Sequence, residues 1–547
     1  MNRRIVVLLF VLFVFVLIFQ FAGLIRPELS TSTLLAQGAA QGTAAQAPAQ
    51  RAAQSATQRP AQRAAQPPAQ RAAQAAAQRA AQGAAQAAAQ ALDRSKTPPI
   101  GKTPELRVPT WTKSTLENGA ELIVSEKHDL PLVSFSITFL GGADQFEPAG
   151  RRGLAGLAAS MLSEGTKTRD AEALSNALQL LGTNVSVGVA GESGSISFLS
   201  TTSKFPATLE ILADMLVNST FPAPALERLR ANRLVALEQA KAQSGAIAGR
   251  VFPRVLYGDA HPYGISTTEA SIKAITRDEV VAFHQAYFKP GRALITVVGD
   301  VTPATVKPVV EKGLAAWSAG GTKPAFTYPP TPAVKQTTIY LVDKPQAAQS
   351  TFALGIPGPP RNTPDYYVLQ VMNTILGGMF QSRLNANIRE EKGYSYGVSS
   401  GFAFGKGPGP FRAGGDIVSA KSDAALNEFM KELRGIAGTR PVTADELKVA
   451  KDALVQRLPA TFASVGAINS AITLLWVQGL PDDYYQQYAK AISAVTADDV
   501  VRVAKKYVDS DHLAIVVVGD RASIEAPLKA TGVAPIVMLD IDGNPVK

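Results

Sequence analysis

The sequence predicts an α+β protein made of two homologous domains, each a mostly antiparallel sheet with helices on one side. Two observations carry this. The first is an internal repeat. Residues 275–281 read Ile-Thr-Arg-Asp-Glu-Val-Val and open a helix that passes Tyr287 and leads to an apolar strand closed by Gly299-Asp300. Residues 495–501 read Val-Thr-Ala-Asp-Asp-Val-Val, pass Tyr507 and lead to a second such strand closed by Gly519-Asp520, 220 residues later throughout. Both copies open on a capping-box threonine, Thr276 with Glu279 and Thr496 with Asp499. The second observation is a change of composition near residue 104, where a low-complexity region gives way to mixed apolar and polar sequence able to build a core.

Taken in order, residues 1–29 hold Arg3-Arg4 and a long apolar run, which reads as a signal peptide or membrane anchor, the anchor being favoured because small residues suited to cleavage lie far downstream. The positive flank places the remainder outside the cytoplasm. The expected location is therefore the periplasm or cell envelope, with an inner-membrane anchor. Residues 30–105 are Ala/Gln/Arg/Pro-rich, with RAAQ at Arg51, Arg63, Arg71 and Arg79, and read as a linker. Residues 1–92 carry +7 of the formal +10 charge. The basic balance thus belongs to the tether and is no nucleic-acid footprint.

The first domain is expected over 106–325 and the second over 335–547, joined by the Pro-rich stretch 328–332. Strands are expected at 121–125, 132–139, 195–200, 337–341 and 352–356. Long helices are expected at 225–240 and 444–458, the latter capped by Thr443 with Glu446. Residues 376–398 read as a helix running into a strand. Gly377 and Gly378 allow close backbone approach, Gly393 suits a left-handed helix end, and Tyr394, Tyr396 and Val398 alternate on one strand face. Arg389 then falls in the last helical turn and Tyr396 just inside the strand. From this local pattern alone, a dipole-favoured arginine and a half-buried tyrosine are a better explanation than a binding pair.

The chain has no cysteine, so thiolate metal sites and disulfides are excluded. Its four histidines, His128, His261, His284 and His512, are scattered, and no H-E-x-x-H or H-x-x-E-H pair is present. His284 reads as structural, His128 and His512 as solvated, and His261 as part of a turn. Residues 405–409, Gly-Lys-Gly-Pro-Gly, precede no helix and are not a phosphate cradle. The residues alone supply no complete active site.

From residue 106 onward the chain resembles the insulinase/pitrilysin family of zinc metallopeptidases. The resemblance rests on the duplication, on residues 116–126 with 141–147 and 153–155, and on 376–398, whose Gly-Gly, Ser-Arg-Leu, Arg-Glu-x-x-Gly and Tyr keep the family's order and spacing. The register of the family's H-x-x-E-H motif here holds Gly156 and Ser160 at the histidine positions and Ala159 at the glutamate position. The third ligand would fall near Leu237 or Glu238. The resemblance therefore implies a chain that binds no metal itself, since one surviving carboxylate cannot hold zinc or activate water. It implies that Arg389 and Tyr396 are the family's substrate-binding and oxyanion-steadying pair, acting in trans. It further implies half of a clamshell-like chamber, a paralogous H-x-x-E-H-bearing subunit that holds the zinc, and unfolded peptides as substrates. The alternative is a catalytically inactive structural or peptide-binding protein of the same fold.

Overall fold

The computed structural model describes residues 106–546; the expected N-terminal anchor and linker lie outside the described residues. The sequence repeat becomes two six-stranded sheets. The first contains β1 (Thr112–Thr115), β2 (Glu121–Glu126), β3 (Leu132–Leu140), β4 (Ser186–Ala190), β5 (Ser193–Thr201) and β6 (Ala293–Gly299), in the order β1-β2-β6-β3-β5-β4. The second contains β7 (Thr338–Asp343), β8 (Gln349–Pro357), β9 (Ser395–Phe402), β10 (Pro410–Val418), β11 (Ala514–Gly519) and β12 (Ile536–Leu539), in the order β12-β7-β11-β8-β10-β9. Five consecutive strands repeat one topology, and each half adds one edge strand. Antiparallel pairings dominate; β2 with β6, and β11 and β12 with β7, are parallel.

The repeated apolar segments are β6 and β11, and every residue in them is buried. Strands covered on both faces read as continuous apolar runs, which is why these two stand out in the sequence. Among the helices that surround the sheets, those that bear on the candidate sites are α1 (Leu154–Met161), α2 (Ala223–Lys241), α3 (Ser244–Tyr257), α4 (Arg277–Tyr287), α5 (Ala444–Gln456), α6 (Val465–Gln478) and α7 (Ala497–Tyr507). The capping boxes expected at Thr276, Thr443 and Thr496 all form.

Each sheet's own helices pack on one face. Val133, Phe135, Ile137 and Phe139 of β3 point into a core shared with α1 and α4. The other face takes a single helix from the opposite half, an exchange the repeat alone does not reveal. Helix α3 lies on the second sheet, with Ile247, Val251 and Phe252 against Ala353, Val516 and Val518. Helix α6 lies on the first sheet, where buried Asn469 accepts from Ser136 Oγ (2.7 Å) and donates to the Thr296 carbonyl (3.1 Å). An amide buried between apolar layers needs these partners, and they fix the register of the crossing helix.

The expected helix within 376–398 is broken. A wide π-type turn at Thr374–Gly378 ends at Met379, which is extended (φ −141°). Helical structure resumes at Arg383–Asn385 and widens again over Ala386–Glu391. Wide turns of this kind gather at functional sites. Gly377 does permit the close approach: a Cβ there would sit 2.4 Å from the Ser400 backbone nitrogen. Gly393 adopts the left-handed conformation (φ +66°).

Arg383, of the Ser-Arg-Leu segment, is a structural residue. Its guanidinium grips Glu446 through two bonds (2.7 and 2.8 Å) and donates to the Arg440 carbonyl. Burial works to raise the Glu446 pKa, but the Arg383 bonds outweigh it and hold it at about 2. Stability from a depressed carboxylate is present above its unfolded value and is lost as pH falls through about 2. Glu446→Gln is therefore expected to cost about 1 kcal/mol at pH 7, after discounting for partial exposure. The difference from the parent should close by pH 2, as read by denaturant midpoints at both pH values. A gap that persists at pH 2 would show that the charge is not what stabilises this contact.

Candidate functional site

The two places singled out by sequence lie in different halves. In the first half, Glu147 caps α1 by accepting the N–H groups of Gly153 (2.9 Å) and Ala155 (2.8 Å). Burial pushes the Glu147 pKa up, against these bonds and the nearby Arg152. Leu154, Leu157, Met161 and Leu162 are buried, so the helix keeps its packing face. Ala159 is buried as well and offers no base. Gly156 and Ser160 lie toward α2, where a guanidinium meets them. Arg233 Nη2 donates to Ser160 Oγ (3.1 Å), which itself donates to the Gly156 carbonyl (3.0 Å). A Cβ at Gly156 would lie 3.3 to 3.5 Å from three guanidinium atoms, so the glycine lets Arg233 pack close without crowding.

Arg233 is the α2 residue bonded to Ser160 and close to Gly156; the positions expected for the third ligand, Leu237 and Glu238, follow it by four and five residues. Leu237 packs against the first core, and Glu238 pairs with Lys241 (2.8 Å). Side-chain spacing in sequence could not locate this contact, because it depends on how far α2 slides along α1. The residues present do not fit a zinc ion: a glycine, an alanine, a hydroxyl already bonded at both ends and a permanent cation. Among the described residues no group of three or more His, Cys, Asp or Glu is arranged to hold a metal.

In the second half, Arg389 lies in the turn Ala386–Glu391, its guanidinium 4.5 Å above the Phe380 ring and 3.1 Å from Glu390. Phe380 is 55 % exposed, an aromatic whose role no sequence pattern signals. Tyr396 lies on β9, the edge strand, and is 90 % exposed. Its side chain makes no hydrogen bond or ring contact with any described residue. The turn and the strand pack together, with no hydrogen bond or cation–π contact between the Arg389 and Tyr396 side chains. The expectation that Tyr394, Tyr396 and Val398 share one strand face is corrected by a bulge. Gly415 pairs with Val398 and Ile417 with Ser395, so β9 carries one more residue than β10 over this span. Val398 and Phe402 stay buried while Tyr396 turns outward.

The histidines build no site. His261 is buried against Tyr257, Tyr263 and Tyr328, and burial lowers its pKa. His284 bonds the Leu216 carbonyl (2.8 Å) and is likewise lowered by burial. Exposed His128 sits between Asp300 (2.8 Å) and Glu126 (3.0 Å), and these two carboxylates raise its pKa. His512 pairs with Asp509. The glycine-rich loop 405–409 does cradle an anion, though an internal one. The Lys406 (2.7 Å) and Gly407 (3.1 Å) N–H groups donate to the Glu192 carboxylate, which also receives the Tyr263 and Tyr328 hydroxyls.

Two family models match the chain: "Insulinase (Peptidase family M16)" over residues 123–256 and "Peptidase M16 inactive domain" over residues 274–454. The chain is 24 % identical over 357 residues to an uncharacterized zinc protease, YmxG, of Bacillus subtilis, covering 64 % of this chain and 85 % of that protein. It is 23 % identical to a Helicobacter pylori protein named a non-peptidase homolog, covering 73 % and 92 %. A solved structure of a peptidase M16 inactive domain from Pseudomonas fluorescens superposes with a TM-score of 0.69 at 25 % identity, covering 75 % of this chain and 98 % of that one. Two matched halves and one repeated topology agree: the chain belongs to the insulinase family of peptidases, M16.

Proposed function

We propose that this protein is the non-zinc subunit of a heterodimeric insulinase-type metallopeptidase, binding peptide substrate and presenting Arg389 and Tyr396 to the zinc site of a paralogous H-x-x-E-H-bearing subunit. The observation that carries it is the contrast between the halves. The α1–α2 site has lost every group that could hold zinc, while Tyr396 stands 90 % exposed with nothing among the described residues to bond. A phenol held out on an edge strand is free to bond a group outside the fold that carries it. Substrates are unfolded peptides, which add as strands to a sheet edge through their backbone groups. The complex works in the periplasm or cell envelope, tethered to the membrane through residues 1–29.

The test is zinc content and peptide cleavage of the full chain alone and mixed with an H-x-x-E-H-bearing M16 chain. Cleavage is expected only in the mixture, with zinc following the partner. One zinc per chain and cleavage by this protein alone would overturn the proposal. A second reading, a peptide-binding protein without any role in catalysis, is favoured by the relative named a non-peptidase homolog. It predicts that the mixture cleaves no faster than the partner alone.

A further inference from the structure

We infer that Ser395 is a positioning residue for Tyr396, acting through the bulge in β9; this deepens the proposed function and rests on it. One hydroxyl bridges the bulge. Ser395 Oγ accepts the Gly397 N–H (3.0 Å) and donates to the Asp416 carbonyl on β10 (2.7 Å). It thereby bridges the residues on either side of Tyr396 to the neighbouring strand, where the ladder skips a residue. The partner strand is shaped to match: a Cβ at Gly415 would lie 2.5 Å from the Gly397 carbonyl oxygen, so only glycine fits opposite the bulge.

The consequence comes from strand geometry. Side chains alternate with a period of two, so in a regular strand Tyr396 would share the inward face of Val398 and Ser400. Both of those are buried, whereas Tyr396 is 90 % exposed. The extra residue reverses the direction of one side chain while leaving the rest of β9 in register. Ser395 touches neither substrate nor metal; its task is to keep the phenol outside.

Two readouts test it. In the isolated full chain, nitration of Tyr396 by tetranitromethane, followed by peptide mass spectrometry, reports how far the phenol stands out. Ser395→Ala is expected to slow that nitration severalfold, and Ser395→Thr, which keeps the hydroxyl, to restore it. In the mixed complex, Ser395→Ala is expected to lower kcat about tenfold with KM little changed, as misplacing a group by a fraction of an ångström does. Deletion of Gly397, which removes the extra residue altogether, should slow nitration further. Unchanged nitration in both variants overturns the inference, whatever the turnover. Slowed nitration with unchanged turnover upholds the positioning role and overturns the delivery of Tyr396 to a partner's site, so the two failures are separable.

Discussion

Arg389→Ala and Tyr396→Phe, each in a complex with a zinc-bearing partner, will lower turnover by ~10²-fold or more, the usual loss when one donor to a developing oxyanion is removed. The two substitutions act on different bonds. Arg389 presents a permanently charged fork suited to peptide carbonyls. Its place above the Phe380 ring supports the side chain without using up its N–H groups, since the ring offers only its π face. Losing it removes a contact made to substrate before the reaction as well as during it, so KM should rise along with the fall in kcat. Tyr396→Phe keeps the ring and removes a single O–H. If the phenol bonds the oxyanion alone, kcat and kcat/KM fall together and KM stays. Neither substitution should change the fold. Tyr396 has no bond to lose among the described residues, and Arg389 forgoes one exposed pair with Glu390, worth little. Steady-state kinetics of the mixed complex with a quenched peptide decides it. Turnover equal to the parent in both variants would leave the scaffold reading in possession.

Much of this is legible in the sequence, and the parts that are not share a cause. The 220-residue offset marks both halves because β6 and β11 are buried on both faces and cannot vary far from apolar. The caps at Thr276, Thr443 and Thr496 are legible because a capping box closes within four residues. What the sequence hides are contacts between segments far apart. Arg233 meets Gly156 and Ser160 through the packing of α2 on α1, and a pattern of ligands counted along the chain cannot see that slide. The helix exchange between halves leaves no periodic mark, since α3 and α6 look like any helix with an apolar face. The bulge at Tyr396 is a property of register, which needs both β9 and β10 to be seen. The glycine-rich loop 405–409 is no phosphate site, as the lack of a following helix indicates, but its true partner, Glu192, lies 214 residues away from Lys406.

Glu192→Ala will cost about 3 kcal/mol of stability, because it strips the shared acceptor from two backbone N–H groups and two hydroxyls at once. The Glu192 carboxylate receives two backbone N–H groups, from Lys406 and Gly407, and the hydroxyls of Tyr263 and Tyr328. Backbone N–H groups converging on a carboxylate form an anion-binding concavity, and glycine is required where the approach is close. A Cβ at Gly405 would lie 2.9 Å from the carboxylate, and one at Gly407 2.6 Å from the Tyr263 hydroxyl. The elements joined are the β4–β5 turn of the first sheet, Tyr263, Tyr328 of the stretch between the two sheets, and the loop between β9 and β10. That loop closes the hairpin on which Tyr396 stands. Glu192 therefore ties the edge of the first sheet to the strand that presents the phenol. Its loss should weaken the hairpin before the rest of the fold. Hydrogen exchange at the Lys406 and Gly407 amides is expected to rise well beyond the change in global stability measured by denaturant. Glu192→Gln, which keeps one acceptor oxygen, should recover part of both effects. Amide protection that falls only in step with global stability would show that the carboxylate holds the halves together without steering the hairpin.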